Sequence, residues 1–244
     1  MAESNLLIDL GNSRLKWVCA RDGKLDKESA GSGDFESFSQ LQSTGSSERP
    51  GSVLISSVAG SARTQKVARF CEIQWGVTAV LLESRLEQGG VRNGYEEPAT
   101  LGVDRWLAIV GAVSRHGKPL VIWDLGTATT LDAVDDSGQH LGGLILPGPG
   151  TMLNSLTRDT KLRVPPVLEY VPPAPGLTTS EGINRGVLAA QVGALKQFMR
   201  TVSARSQGEP SLIVTGGAAE QLLASLDFDY IHDPWLVFRG MLVD

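Results

Sequence analysis

An internal repeat is the feature of this sequence that most limits its fold. Residues 6–23 read LLIDLGNSRLKWVCARDG, and residues 121–138 read VIWDLGTATTLDAVDDSG. Both contain an apolar run, Asp-Leu-Gly, small polar residues and a second apolar segment. Two apolar strands joined by a glycine turn are typical of a β-hairpin, and the copies lie about half a chain apart. The repeat predicts two similar α/β domains, at residues 1–115 and 116–244, with a cleft between them.

A second and weaker repeat supports this division. Residues 53–60 (VLISSVAG) and 212–218 (LIVTGGA) are both short apolar runs that lead into small residues. A helical pattern follows each of them, at residues 61–71 and 218–226. We therefore expect each domain to contain a strand that is followed directly by a helix.

Other segments give a coarser prediction. Apolar residues recur with helical spacing over 101–115 and over 181–204, so both ranges predict helices, the first of them opened by Thr100. Segment 30–50 is rich in Gly and Ser and predicts a loop with a short helix. Segment 164–176 contains five prolines, which exclude a helix interior and favour a rigid connector.

Composition limits the class of protein. The chain has 244 residues, of which 41% are hydrophobic and 20% are charged, as is typical of a folded domain with its own core. The net charge of −5 argues against non-specific binding to nucleic acid or to an anionic membrane, because both need a clustered positive field. No apolar run is long enough for a membrane span, and the N-terminal residues lack the pattern of a signal peptide. We therefore predict a cytoplasmic protein.

Cysteine and histidine show no metal-binding pattern. Cys19 and Cys71 are far apart and have no further ligand at zinc spacing, so we expect neither a disulfide nor a zinc site, and two inert thiols. His116, His140 and His232 lie outside the motifs and are expected to be surface or packed residues. The tryptophans lie in apolar patterns and predict core positions: Trp17, Trp75, Trp106, Trp123 and Trp235.

The two Asp-Leu-Gly turns have the chemistry of a phosphate site. A glycine lets the backbone approach a ligand closely, and successive N–H groups and short hydroxyls bind phosphate oxygens. Asp9 or Asp124 could hold Mg²⁺, and Lys16 could place a positive charge on a phosphate. Each turn alone could equally be a plain hairpin with an Asx-type turn. Two copies favour a nucleotide whose β- and γ-phosphates are held from both sides.

Two further segments carry candidate chemistry. Thr215-Gly216-Gly217 follows a strand and opens a helix, a place that can bind a phosphate or an adenosine. Asp104 and Arg105 begin an apolar helix after a loop that contains Tyr95. Asp104 could act as a general base on a substrate hydroxyl, and Arg105 could orient an acidic substrate or stabilise the transferred charge. The alternative is an acidic residue that only stabilises a helix N-terminus beside a solvated arginine.

Five motifs in order resemble those of the type III pantothenate kinases, in the superfamily of acetate and sugar kinases, heat-shock chaperones and actin. They cover essentially the whole chain: Asp9–Lys16, Gly102–Arg105, Asp124–Thr130, Gly142–Gly148 and Thr215–Gly217. The departures are small. Ser13 stands where threonine is commoner, Val103 replaces a usual alanine, and Leu177-Thr178 replaces a more polar pair.

The resemblance implies an activity and an assembly. It implies two ribonuclease H-like domains with an ATP cleft between them, a homodimer, and transfer of the ATP γ-phosphoryl group to the 4′-hydroxyl of pantothenate. This reaction is the first committed step of coenzyme A biosynthesis. The implied cofactors are Mg²⁺ and a monovalent cation, K⁺ or NH₄⁺.

The resemblance also implies a role for each matching residue. Asp104 would be the catalytic base, Asp9 would place Mg²⁺, and Asp124 would bind the monovalent cation. Thr179 would reach pantothenate from the partner subunit. The ATP-binding residues would be Asp9, Leu10, Gly11, Asn12, Ser13, Arg14, Leu15, Lys16, Gly126, Thr127, Gly216 and Gly217. The pantothenate-binding residues would be Tyr95, Gly102, Val103, Asp104, Arg105 and Thr179.

Other activities of the same superfamily remain open at this stage. A sugar or acetate kinase would usually be longer, and a chaperone or filament protein would need an extra domain or a polymer surface. A nucleotide-binding accessory protein of transcription could share the fold without kinase turnover. The Asp104-Arg105 pair with Tyr95 distinguishes a kinase from such a protein, because a nucleotide switch needs no group that accepts a proton.

Overall fold

The computed structural model describes residues 4–40, 49–159 and 174–244. Contacts divide the described chain into two compact units. The first contains the described part of residues 1–115 together with Leu236–Asp244, and the second contains that of His116–Trp235. Each unit contains one five-stranded sheet.

The first unit has the strand order β3-β2-β1-β4-β5 and a separate two-stranded sheet of β6 and β7. The pairs β1–β2 and β2–β3 are antiparallel, whereas β1–β4 and β4–β5 are parallel. The strands are β1 (Ser4–Leu10), β2 (Leu15–Arg21), β3 (Lys24–Gly33), β4 (Ser52–Ser57), β5 (Val80–Leu81), β6 (Glu87–Gln88) and β7 (Val91–Arg92). The helices are α1 (Phe35–Ser39), α2 (Ser61–Trp75), α3 (Val103–His116) and the late α7 (Leu236–Gly240), with a 3₁₀ helix at Pro98–Thr100.

The core of this unit explains why β1 is apolar on both faces. Leu6, Ile8 and Leu10 pack with residues of α1 and α2 in one hydrophobic cluster. Leu7, which points to the other face, is also fully buried. A strand in the middle of a sheet with both faces covered needs such a continuous apolar run. Strand β1 is therefore fixed by packing on both faces, and so are its last residues, Asp9 and Leu10.

The last helix belongs to the first unit because of two glycines. A Cβ on Gly240 would overlap the carbonyl oxygen of Leu107 in α3, and a Cβ on Gly111 would overlap that of Leu236. The backbones of α3 and α7 therefore touch, which only glycine allows. The predicted C-terminal range, 116–244, thus includes a segment that packs with the N-terminal unit, and the division into domains at residue 115 stays a prediction.

The second unit repeats the arrangement with the strand order β10-β9-β8-β11-β12. The pairs β8–β9 and β9–β10 are antiparallel, and β8–β11 and β11–β12 are parallel. Its strands are β8 (Leu120–Leu125), β9 (Ala128–Val134), β10 (His140–Pro147), β11 (Ser211–Thr215) and β12 (Ile231–His232). Its helices are α4 (Pro149–Asp159), α5 (Thr179–Ser203) and α6 (Ala219–Leu223).

Both predicted hairpins and the strand-helix pairs are present. The long helix predicted at 181–204 begins two residues earlier, because Thr178 caps it: its hydroxyl accepts a hydrogen bond from the Glu181 amide at 3.2 Å. The predicted helix at 218–226 is shorter and covers only Ala219–Leu223. Thr100 lies in the 3₁₀ helix, so the prediction that it opens α3 is wrong.

Segment 30–50 also departs from the prediction. Residues 30–33 continue the long strand β3, and Gly31 lies so close to the Trp17 side chain of β2 that a Cβ would overlap the indole. The short helix is present as α1, capped by Asp34, whose carboxylate accepts from the Ser37 amide at 2.8 Å. Residues 41–48 and the proline-rich part of 164–176 up to residue 173 lie outside the described residues.

The residues assigned to packing mostly behave as predicted. Trp17, Trp75, Trp106 and Trp123 are buried, whereas Trp235 is half-buried. Burial raises the pKa of the Cys71 thiol to about 12, so this thiol stays protonated and unreactive at neutral pH.

Two histidines make specific pairs with carboxylates that the sequence pattern did not show. His140 lies 3.0 Å from Asp132, and His116 lies 3.0 Å from Asp233. Within the described ranges, no helix has the length and apolar character to cross a membrane.

Candidate active site

The first Asp-Leu-Gly turn joins β1 to β2 and is tight. Asp9 is paired with Lys16 and Leu10 with Leu15, and the Gly11 amide donates a 3.0 Å hydrogen bond to the Arg14 carbonyl. Asp9 is only 7% exposed, whereas the three residues at the tip, 12–14, are exposed. A buried carboxylate and a half-buried lysine therefore lie on adjacent strands below an exposed polar turn.

Strand β4 and helix α2 fix this turn from the side. The Val58 amide, just after β4, donates to the Leu10 carbonyl at 3.1 Å. Arg63, in the first turn of α2, donates through Nη1 to the carbonyls of Gly11 at 3.3 Å and Asn12 at 2.6 Å. No local sequence pattern places Arg63 near the turn, so its role could not be predicted.

Asp104 and Arg105 lie at the start of α3 with Tyr95 beside them. The Arg105 guanidinium donates through Nη1 to the Tyr95 hydroxyl at 2.8 Å, and its Cζ lies 5.7 Å from the centre of the Tyr95 ring. Arg105 is only 8% exposed, and Asp104 is half-buried. The structure therefore brings together the three residues that the sequence analysis assigned to substrate binding and proton transfer.

Asn93 holds the loop that carries Tyr95. Its side-chain oxygen accepts from the Tyr95 amide at 3.0 Å, and its amide nitrogen donates to the carbonyls of Arg85 at 3.1 Å and Pro98 at 3.3 Å. Asn93 is 5% exposed, so these bonds satisfy a buried amide. This residue was also missed as part of the site, although it precedes Gly94 in a turn-like sequence.

Gly102 keeps Asp104 close to the turn region. A Cβ added to Gly102 would lie 2.8 Å from Asp104 Oδ1 and 3.9 Å from the side chain of Val58. The same carboxylate oxygen accepts from the Arg105 amide at 2.8 Å. Since Val58 also bonds Leu10, the start of α3 and the end of β1 are neighbours in this unit. The glycine of the Gly-x-Asp-Arg motif thus leaves room for the carboxylate.

In the second unit, a shorter glycine turn joins β8 to β9. The Gly126 amide donates to the Ala128 carbonyl at 3.0 Å, and Asp124 is paired with Thr130 on β9 and with Thr215 on β11. The Thr127 carbonyl accepts from the Gly148 amide at 2.9 Å and from the Thr151 hydroxyl at 2.6 Å. The glycine run at residues 142–148 therefore ends against this turn.

Gly216 lies directly against Asp124. Its φ is +96°, and an added Cβ would lie 2.5 Å from Asp124 Oδ1 and 2.5 Å from the backbone of Leu125. The Ala218 amide then donates to the Leu125 carbonyl at 2.9 Å. Asp124, Gly126, Thr127, Gly216 and Gly217 thus lie at one end of the sheet of this unit.

This contact predicts a large effect of Gly216→Ala on stability. The substitution forces a left-handed backbone onto alanine and pushes its methyl group into Leu125, so we expect it to lower the free energy of unfolding by about 3 kcal/mol or more. Gly217→Ala is the matched control, because a Cβ there meets open space and should change stability by less than about 0.5 kcal/mol. Urea denaturation followed by tryptophan fluorescence measures both. Equal stability of the two variants would contradict the close packing of Gly216.

Gln191 of α5 supports the same turn from inside the unit. It is fully buried, accepts from the Thr129 hydroxyl at 2.7 Å, and donates to the Pro147 carbonyl at 2.9 Å. It therefore fixes the ends of β9 and β10 that flank the turn. No sequence motif pointed to it, because a glutamine inside a helical pattern has no distinctive signal.

Thr179 occupies the first position of α5 and is exposed. The residue before it is the cap of the helix, and the Glu181 carboxylate accepts from the Leu177 amide at 2.9 Å. Gly176 packs against the first turn, where a Cβ would overlap the Gly182 amide. The residues next to Thr179 thus serve to cap the helix, whereas the Thr179 side chain lies at the surface.

Possible ligands of a metal ion do not form a large cluster in the part of the chain that the structure describes. There, no group of three or more His, Cys, Asp or Glu side chains is placed to hold an ion. Mg²⁺ in phosphoryl-transfer enzymes usually needs only one or two carboxylates, since substrate phosphates and water supply the other ligands. Asp9 has the donor chemistry for that role.

Comparison with known sequences identifies the family. The profile of the type III pantothenate kinases matches residues 5–201. A type III pantothenate kinase from Nitrosococcus oceani is 34% identical and is matched over 97% of this chain and 91% of its own length. The corresponding enzyme from Methylibium petroleiphilum is 35% identical, over 97% of this chain and 96% of its own length. This chain belongs to the type III pantothenate kinase family.

Solved structures confirm the fold expected for this family. An activator of 2-hydroxyisocaproyl-CoA dehydratase from Clostridium difficile, with bound ADPNP, covers 99% of this chain and 92% of its own, with a TM-score of 0.57 at 11% identity. MreB 5 of Spiroplasma citri, bound to AMPPNP, gives a TM-score of 0.52 at 11% identity, over 98% of this chain and 95% of its own. The α/β fold class predicted from the repeat, with the ribonuclease H-like domains that the resemblance implied, is confirmed.

One structural neighbour has a name that matches the alternative function. A protein from Campylobacter jejuni described as a Baf family transcriptional activator gives a TM-score of 0.60 at 21% identity, over 97% of this chain and 94% of its own. At this identity the likeness shows the shared fold alone. The pantothenate kinase relatives are more similar in sequence, so the accessory role in transcription is not favoured.

Proposed function

We propose that this protein transfers the γ-phosphoryl group of ATP to the 4′-hydroxyl of pantothenate, which gives 4′-phosphopantothenate and ADP. It is thus a phosphotransferase with an alcohol acceptor, at the first step of coenzyme A biosynthesis. The observation that carries this proposal is the contact of Arg105 with Tyr95 next to Asp104, in a chain of this family. A nucleotide switch without kinase turnover does not need that combination.

Asp104 is assigned the proton transfer. A primary alcohol is a weak nucleophile, and a carboxylate that accepts its proton aids attack on the γ-phosphorus. The new O–P bond forms as the bond between the γ-phosphorus and the β–γ bridging oxygen breaks, and ADP leaves with that oxygen. Asp104 is half-buried, and its Oδ1 is held by the Arg105 amide, which fixes the direction of the carboxylate.

Arg105 and Tyr95 are assigned the binding of pantothenate, together with the backbone of Gly102 and Val103. Pantothenate carries a carboxylate, and a buried guanidinium is well suited to bind one. The hydrogen bond from Arg105 to the Tyr95 hydroxyl fixes both side chains before substrate arrives. Such alignment can supply a large part of the rate enhancement, roughly 7–11 kcal/mol in favourable cases.

The turn at residues 9–16 is assigned the phosphates of ATP. Its exposed tip offers backbone N–H groups and the Ser13 hydroxyl, and Lys16 adds a positive charge beside Asp9. Asp9 is the residue that would hold Mg²⁺, directly or through water. When bound, that ion neutralises the developing charge on the phosphate oxygens.

Residues of the second unit are assigned to ATP and to a monovalent cation. The Gly126–Thr127 turn and Gly216–Gly217 are the proposed ATP contacts, since their glycines allow close approach of a ligand to the backbone. Asp124, packed against Gly216, is the proposed ligand of K⁺ or NH₄⁺. That one ATP molecule is bound by both hairpins remains a prediction from the repeat.

The test of the activity is a coupled assay of ADP release with and without pantothenate. We expect release that depends on pantothenate and on Mg²⁺, and that is faster in potassium than in sodium buffer. ADP release that ignores pantothenate would contradict the kinase assignment and favour a nucleotide-binding accessory protein. Equal rates in the two buffers would contradict only the role of Asp124.

We further propose a cytoplasmic homodimer in which Thr179 of one subunit contacts pantothenate in the site of its partner. The exposed position of Thr179, at the start of a well-capped helix, supports this assignment. A threonine hydroxyl at a rigid helix end can donate one hydrogen bond to a substrate with little loss of entropy.

Mixed dimers test this arrangement. Asp104→Asn and Thr179→Ala should each lower activity, the latter by about tenfold, as expected for one lost hydrogen bond. A mixed dimer has one Asp104→Asn subunit and one Thr179→Ala subunit and is purified through two different tags. If Thr179 acts across the interface, both substitutions fall in the same site, and the other site is intact. The mixed dimer should therefore show about half of the wild-type activity. A mixed dimer no more active than the two single variants would place Thr179 in its own subunit's site.

A further inference from the structure

Arg63 is the strongest feature that the assignments above leave unused. It lies on α2, far along the chain from the first hairpin, yet its Nη1 donates to two successive carbonyls of the turn, those of Gly11 at 3.3 Å and Asn12 at 2.6 Å. Exposed arginines usually extend into solvent. One that bonds two neighbouring carbonyls of a proposed phosphate turn needs an explanation.

The neighbouring residue fixes the position of Arg63. The Thr64 hydroxyl donates to the Gly60 carbonyl at 2.9 Å and lies 2.6 Å from the Ser57 hydroxyl. Ser57 is paired with Leu10 at the end of β1. The first turn of α2 is thus attached to the strand that enters the hairpin, and Arg63 is held at the side of the turn.

The planarity of the peptide bond links these two carbonyls to two amides. In a trans peptide, the carbonyl of one residue and the N–H of the next point in opposite directions. With the Gly11 and Asn12 carbonyls turned toward Arg63, the N–H groups of Asn12 and Ser13 point away from it, as successive donors. Successive N–H groups on one side of a turn form an anion-binding concavity.

We infer that Arg63 is a positioning residue for ATP, which orients two peptide groups of the turn so that their N–H groups face the phosphates. This inference rests on the proposed role of residues 9–16 in phosphate binding. The guanidinium holds both carbonyl oxygens on the side of the turn that faces α2. Arg63 therefore acts through the turn.

The test compares Arg63→Ala and Arg63→Lys with Arg69→Ala. Arg69 is a matched control, because it is an exposed arginine further along the same helix. The primary measurement is the dissociation constant of AMPPNP with Mg²⁺, in the absence of pantothenate. We expect Arg63→Ala to raise it by about tenfold, as for loss of a charge-assisted hydrogen bond. Arg63→Lys, which can reach a carbonyl with its ammonium group, should restore most of the affinity, and Arg69→Ala should leave it unchanged.

Steady-state kinetics separate positioning from a general effect on structure. Arg63→Ala should raise the KM for ATP and leave the KM for pantothenate within about twofold of the wild type. A merely structural role would lower the thermal unfolding temperature without changing AMPPNP affinity, and that result would overturn the inference. So would equal affinities of Arg63→Ala and Arg69→Ala.

Failure of the proposed function is visible separately. A wild-type protein that binds AMPPNP but releases no ADP with pantothenate would refute the kinase assignment and leave the Arg63 comparison intact. A wild-type protein that does not bind AMPPNP at all would refute both. If Arg63→Ala does not fold, Arg63→Lys still decides, because a positioning role predicts near-normal affinity for it and a marked loss of affinity would contradict the inference.

Discussion

Asp104→Asn is expected to lower the turnover number, kcat, by at least about a hundredfold, since a general base typically contributes 10²–10⁴-fold. The amide has nearly the same shape and keeps an oxygen for the Arg105 amide, so the start of α3 should stay in place. It cannot accept the proton of the pantothenate hydroxyl. The loss should therefore appear in kcat with little change in the affinity for AMPPNP.

A matched control makes this result specific. Asp229→Asn removes one carboxylate from an exposed position of the second unit and should leave kcat unchanged. Circular dichroism and thermal unfolding would verify that both variants fold. Near-normal turnover of Asp104→Asn would reject this residue as the base, whatever the effect on substrate binding.

Asp9→Asn is expected to give the second large effect, on the use of Mg²⁺ and ATP. Asp9 is a buried carboxylate paired with Lys16 below the exposed turn, and its loss removes the proposed anchor of the metal. We expect the apparent KM for Mg·ATP to rise by about tenfold to a hundredfold, as for groups that support a bound metal. The KM for pantothenate should change little.

The measurement is a two-substrate kinetic analysis at several Mg²⁺ concentrations. A metal role predicts that higher Mg²⁺ partly restores the activity of Asp9→Asn. Asp229→Asn again serves as the control for loss of one negative charge. Unchanged nucleotide affinity and rate in Asp9→Asn would show that this carboxylate has only a structural role.

The hairpins could be predicted because their signals are local. An apolar strand, a glycine turn and a second strand mark a hairpin within a few residues. The exact register, with Asp9 opposite Lys16, is known only from the structure. Helix α5 is also predicted, but its start is placed two residues late because the capping residue Thr178 is not recognised from the apolar pattern. The assignment of Tyr95 and Arg105 to pantothenate binding comes from a motif, whereas their contact with each other is visible only in the structure.

The supporting residues could not be predicted because their contacts join distant parts of the chain. Arg63, Asn93 and Gln191 each bond backbone groups of the candidate site, but none has a distinctive local sequence. The same holds for the buried His140–Asp132 pair, which depends on the register of two neighbouring strands. Local pattern shows which residues carry chemistry, whereas the packing that orients them becomes visible only in the fold.

The position of the last helix illustrates the same limit. Its sequence is a short apolar segment, and the repeat placed it in the second domain. It packs with the first unit because Gly111 and Gly240 let two helix backbones touch. A glycine inside a helical pattern does not say which partner it will meet.

The central claim is that a phosphoryl group moves from ATP to the hydroxyl of pantothenate. Phosphorus NMR of the wild-type protein with Mg·ATP and pantothenate follows that atom directly. We predict that the γ-phosphate signal is replaced by that of a phosphomonoester of pantothenate, with an equal amount of ADP, and that neither forms when pantothenate is omitted. Conversion of the γ-phosphate to inorganic phosphate alone, or no conversion of ATP, would contradict the account.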